Sequence, residues 1–156
     1  MHVETAGGIA ESDTGPETAP PFGDWKIQAL FEHWGARMRG HRWPSRADLD
    51  PMAMPRALLP HVMVTQLAHD GRELLRLVGT HITEHLGLDP TRRTLEDLAG
   101  EGNFADLCRS LHAEMRSAAT PLHAHGRHVS PRGVPRTCER LVCPLSHDGE
   151  QPDATV

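Results

Sequence analysis

The chain contains no Tyr and only three Trp and three Phe among its 156 residues. A core must therefore rest on Leu, Val, Met and Ala rather than on stacked rings. Lys is nearly missing as well, since Lys26 stands alone beside fifteen Arg. The three cysteines, Cys108, Cys138 and Cys143, cannot all pair, and no C-x-x-C occurs, which excludes a disulfide framework. On one strand, positions 138 and 143 face opposite sides, which opposes a bridge between them. Reduced thiols in a cytoplasmic protein are the expectation. No apolar run approaches the ~18 residues of a membrane helix. The N-terminus lacks the basic start and apolar middle of a secretory signal. There is no glycine-rich phosphate loop, no G-x-S-x-G and no kinase, cyclase or phosphodiesterase motif, so no enzymatic activity is expected. Nor is there a basic surplus. The formal charge is −5, all of it carried by Glu4, Glu11, Asp13, Glu17 and Asp24, while the remaining residues balance. That excludes a general nucleic-acid binder, which needs a net positive face.

What is present divides into two parts. Residues 1–24 are rich in Gly, Pro, Thr, Glu and Ala, cannot bury enough surface to offset their ordering entropy, and read as a disordered acidic tail. From Asp24, an N-cap, the pattern predicts a helix over 25–39, with Ile27, Leu30, Phe31, Trp34 and Met38 in one apolar stripe and Gly40 as the stop. A Pro-punctuated connector with a Ser45/Asp48 capped turn leads to a strand over 61–67. His69-Asp70-Gly71 turns it into a return strand over 73–79, with Leu75 and Leu77 on one face. Thr80 opens a short helix ending at Gly87, with a single further helical turn near Leu95–Leu98. Asn103 with Asp106 starts the clearest helix, Phe104–Ala118. Leu122–Val129 and Arg136–Leu145 form a second hairpin, and after the His147-Asp148-Gly149 turn the residues Ala154–Val156 open a further strand. Paired strands split by helices predict an α+β fold with an antiparallel sheet.

Several side-chain groupings are candidates for chemistry. His81-Ile82-Thr83-Glu84-His85 is an H-x-x-E-H; on a helix His81 and His85 share a face as zinc ligation needs, with Glu84 as a base. With twelve His in the chain, one such spacing is about what random placement yields. His123 and His125 share one face of the second hairpin, with His128 on the other, so two imidazoles there would hold Zn or Ni weakly. Cys108 and His112 lie one turn apart on the longer helix. Arg76, Glu139 and Arg140 are polar residues inside otherwise apolar strands; an Arg76–Glu139 pair joining the hairpins is one reading and an anchor for an anionic ligand the other.

The element order, together with Pro44-Ser45-Arg46-Ala47-Asp48-Leu49-Asp50-Pro51, Leu58-Leu59-Pro60-His61, Arg76-Leu77-Val78-Gly79-Thr80 followed by Gly87, and Glu139-Arg140-Leu141 with Pro144-Leu145-Ser146, resembles a bacterial family of small single-domain PAS proteins. The resemblance covers roughly 25–149, so residues 25–156 are expected to form one PAS-like domain: an antiparallel sheet, flanking short helices, one longer helix and a preceding amphipathic helix. It implies a non-catalytic sensory or regulatory role in signal transduction. A small ligand or a protein partner would bind a cavity lined by Leu75, Leu77, Phe104, Cys108, Leu111, Leu141 and Cys143. The N-terminal helix, through Ile27, Leu30, Phe31, Trp34 and Met38, would carry the signal to a second copy or a signalling partner. No cofactor is required by this reading; the alternative is a histidine-based metal or haem protein, with His112 as the haem ligand. The chain departs from the family pattern twice. Thr91-Arg92 stands where the family has Thr-Gly, so a left-handed turn would be strained there. The final strand, full-length and central in the family, is truncated, which implies completion by another segment or an open edge.

Overall fold

Two antiparallel hairpins supply most of the sheet, and the helical stretch between them folds over one of its faces. The computed structural model describes residues 2–5, 22–100 and 102–156. In chain order the elements are β1 (His2–Thr5), α1 (Trp25–Gly35), β2 (Met63–Leu67), β3 (Glu73–Val78), α2 (Thr80–Leu86), α3 (Phe104–Ala118), β4 (Leu122–Val129), β5 (Pro135–Val142), β6 (Pro144–Leu145) and β7 (Ala154–Thr155). Single 3-10 turns occupy Pro51–Ala53, Leu59–His61 and Glu96–Leu98. The α+β class, the hairpins and the bounds of α3 and β4 are as expected.

The strands pair in the orders β1-β4-β5 and β3-β2-β7-β6, all antiparallel. Pro144 has no N–H, and the β5–β6 run is interrupted beside it. Cys143 bridges the interruption: its N–H donates to Val156 O (2.8 Å) and its C=O accepts from Val156 N–H (3.1 Å). The result is one layer in the order β3-β2-β7-β6/β5-β4-β1. The short final strand thus lies inside the sheet and not at an edge. The outer edge of β3 is covered, because Leu75 N–H donates to Arg93 O and Leu95 N–H to Glu73 O, both at 2.9 Å.

Helix α1 packs on one face. Leu30 and Trp34 join Phe22, Trp43, Val64, Leu141, Cys143, Leu145, Ala154 and Val156 in one cluster, and the Trp34 indole N–H donates to Pro144 O at 2.8 Å. On the other face α2 and α3 pack in two groups, one around Leu75, Leu86, Leu95, Phe104 and Cys108, the other around Leu107, Leu111, Met115, Leu122, Ala124 and Val142. The odd spacing of Cys138 and Cys143 does send them to opposite faces, and all three thiols are free.

The structure corrects several expectations. Helix α1 stops at Gly35, four residues early, because the chain turns at Ala36 and then takes positive φ at Arg39 (39°) and Gly40 (80°). The strand expected over 61–67 begins at Met63, since Pro60 seeds a 3-10 turn. Asn103 precedes α3 but its side chain does not cap it; Oδ1 accepts instead from Val129 N–H at 2.6 Å. Register shifts in the first hairpin from Val64↔Leu77 to Thr65↔Leu75, leaving Arg76 as an extra, bulged residue. That single residue breaks the alternation, so Leu75 points toward α3 and Leu77 toward α1. At the N-terminus, His2–Thr5 pair with β4 and Phe22 is buried; of the acidic disordered tail expected over 1–24, residues 1 and 6–21 lie outside the described ones.

Two motif segments meet at one glycine. A Cβ on Gly79 would lie 2.3 Å from Pro60 O, so the Leu-Leu-Pro-His turn and the Gly-Thr junction approach only because that position has no side chain. Arg92 does take a left-handed φ of 69°, and its N–H donates to Leu75 O at 2.8 Å, which holds the turn.

Candidate functional site

A cavity of about 800 Å³ is walled by residues of α1, α2, α3, β2, β4 and β5. The cavity reaches both layers: Ile27 and Leu30 of α1, Phe104, Cys108 and Leu111 of α3, and Leu141 and Val142 of β5 all line it. Its volume lies in the range of small-molecule sites.

The wall is apolar with charged insertions, of which Arg140 is the most telling. It follows Glu139 on β5 and, by alternation, points toward α3. Its Nη1 donates to Cys108 Sγ at 3.0 Å, and its guanidinium lies 4.9 Å from the Phe104 ring centre. Burial pushes the Cys108 thiol up, and the charge and hydrogen bond of Arg140 only offset part of that. Arg140 therefore bonds a neutral thiol, a weak acceptor. Among the described residues no carboxylate lies within ion-pair distance of it. A half-buried guanidinium whose partners are the Cys108 and Cys138 sulfurs and the Phe104 ring can exchange a weak acceptor for an anion.

Beside it, His85 Nε2 and His128 Nε2 are 2.7 Å apart, so one ring donates to the other. Burial, followed by the charges of Arg140, His85 and Arg136, holds His128 down to about 4. Burial, with Arg136, His81 and Arg140, lowers His85 too. Both rings are neutral at pH 7, and Nδ1 of His128 is buried with no hydrogen-bond partner among the described residues. Arg136, Lys26 and Glu139 also reach the cavity wall.

Of the residues expected to line a cavity, Phe104, Cys108, Leu111 and Leu141 do so. Leu75 is packed in the core under α2 and α3, Leu77 is turned toward α1 by the bulge, and Cys143 is sealed in the cluster beneath α1. Arg76 and Glu139 do not pair. Arg76, expelled at the bulge, donates from Nε to Gln66 Oε1 at 2.8 Å on the surface, while Glu139 Oε1 lies 2.8 Å from His123 Nε2. In the α1 stripe, Leu30 and Trp34 are buried and Ile27, Phe31 and Met38 pack against the same cluster, so the stripe lies on its own sheet. The exposed large side chain of α1 is Trp25, 56% accessible.

The metal and haem candidates separate in the same way. His81 lies against the His61 ring (centroids 4.5 Å apart), while His85 engages His128, so the H-x-x-E-H spacing gathers no ligand set. His112 lines the cavity, but its Nδ1 bonds Glu73, whose other oxygen accepts from Arg116 Nη2 at 3.0 Å. Sequence reasoning missed this buried triad, because nothing in local spacing links position 73 to positions 112 and 116. His123 and His125 do share a face, next to Glu139.

Among the described residues no helix is long and apolar enough to cross a membrane. A family model described as PAS domain matches residues 25–156, most of the chain. No curated protein and no solved structure matches.

Proposed function

Since the chain belongs to the PAS-domain family, a group of sensory and regulatory domains, we propose that it senses a small anionic, partly apolar molecule held in the α1–β5–α3 cavity. Arg140 is the observation that supports this reading. An incoming carboxylate or phosphate would replace the Cys108 sulfur as its acceptor, and a charge-assisted bond is worth roughly twice a neutral one. The apolar remainder of the ligand would rest on Phe104, Leu111 and Leu141. No catalytic residue is assigned, and the output is a shift between packings of α1. Its first turn, Lys26 to Leu30, borders the same cavity, so the shift is bounded by the ligand's preference for one packing over the other. A second copy or a signalling partner would read the solvent side of α1, near Trp25.

Mass spectrometry of molecules released from the purified protein tests this reading. A small acid is expected from the wild type and not from Arg140→Gln. Equal recovery from both, or recovery of a peptide alone, would overturn it.

A further inference from the structure

We propose a second site, which shares only Glu139 with the cavity wall: His123 and His125 of β4 with Glu139 of β5 bind one divalent transition-metal ion of the zinc class. Their ligand atoms all lie within 4.8 Å of one another. His123 Nε2 and Glu139 Oε1 are 2.8 Å apart, and the two imidazole rings are 4.6 Å apart at 73°. Zinc bonds of about 2.0–2.2 Å place tetrahedral neighbours about 3.3 Å apart. An ion replacing the proton of the His123–Glu139 hydrogen bond therefore has only to spread that pair by about 0.5 Å.

The arrangement is held by backbone pairing and not by loops. The β4–β5 ladder runs unbroken through eight pairs, with His125 directly opposite Glu139 and His123 opposite Leu141. Period-two alternation then puts 123, 125 and 139 on one face. The Phe22 ring meets His123 edge-on, centroids 4.9 Å apart, and fixes the imidazole from the side. Burial is graded, with the His123 side chain 7% accessible, Glu139 20% and His125 exposed. That leaves an entry path and at least one open coordination position. Two imidazoles and one carboxylate form a donor set suited to Zn, Ni, Co or Fe(II) and poor for Mg or Ca, which prefer oxygen alone.

The position gives the ion a role. Cα register sets His2 opposite His125 and Glu4 opposite His123, so β1 joins the sheet at this spot. Phe22, which touches His123, lies just before α1 and also packs on Phe31 of that helix, centroids 5.4 Å apart. An ion here would fasten the β4–β5 ladder at the point where the N-terminal strand and the approach to α1 meet it.

The test uses the full chain without an affinity tag, stripped of metal and titrated with zinc chloride by calorimetry. One equivalent per chain is expected, with affinity falling at least about 10-fold in His125→Ala and in Glu139→Gln. His69→Ala, in the exposed β2–β3 turn, should bind as the wild type does. His125 is exposed, so its loss leaves the core intact, and thermal unfolding of each variant without zinc confirms that. No saturable one-to-one binding, or unchanged affinity in the His125 variant, would overturn the assignment.

Discussion

Glu73 is a buried carboxylate held by both His112 and Arg116. Burial alone would raise it, but the hydrogen bonds and charges of His112 and Arg116 outweigh that and hold it below the ordinary 4.5. A carboxyl lowered on folding contributes stability above its unfolded value and loses it as pH falls through the folded one. The acid limb of unfolding below about pH 4.5 should therefore flatten in Glu73→Gln. Glu73→Ala, which leaves buried His112 and half-buried Arg116 without their carboxylate, should cost about 3 kcal/mol in denaturant titration, the low end for a buried pair. His128 works at higher pH. Its folded value of about 4 lies below the unfolded 6.5, so the unfolded chain takes up a proton first and stability declines as pH drops from 6.5 toward 4. Replacing His128 with Gln should remove that slope, measured as midpoint against pH. None of these partnerships follows from spacing along the chain. Arg140 was the exception, since a guanidinium within an apolar strand run requires a partner wherever it folds.

At the scale of elements, legibility tracked local signals. The 3.6-residue apolar stripe of Phe104–Ala118 and the turn residues around Gly71 marked α3 and the first hairpin, because capping, periodicity and turn chemistry act over a few residues. The Arg76 bulge was not legible, since an extra residue is defined only against the paired strand. It moved Leu77 out of the cavity and dissolved the Arg76–Glu139 pair. Leu75→Ala should then cost about 2–5 kcal/mol, as a fully buried core position does, and Leu77→Ala distinctly less. Gly79→Ala should be more damaging than either residue's small size suggests. Its Cβ would sit 2.3 Å from Pro60 O, forcing the β3–α2 junction off the Leu59–His61 turn, and a loss of about 1–3 kcal/mol is expected by thermal unfolding.

Over the whole molecule, a single sheet lies between two helical layers, and residues from both layers line the cavity. α1 lies on one side and α3 on the other, with Arg140 reaching toward α3. A ligand bound there touches the element on the far face without any long relay, so binding and output share a wall. The amphipathic stripe alone suggested that α1 serves a partner; in the fold that stripe covers the sheet, and the surface left for a partner is its solvent side. Coupling of cavity to α1 is the central claim, and hydrogen exchange measures it most directly. Protein as purified should protect the α1 amides more than protein stripped by unfolding, dialysis and refolding, and Arg140→Gln should match the stripped sample. Identical α1 protection in all three samples would contradict the account.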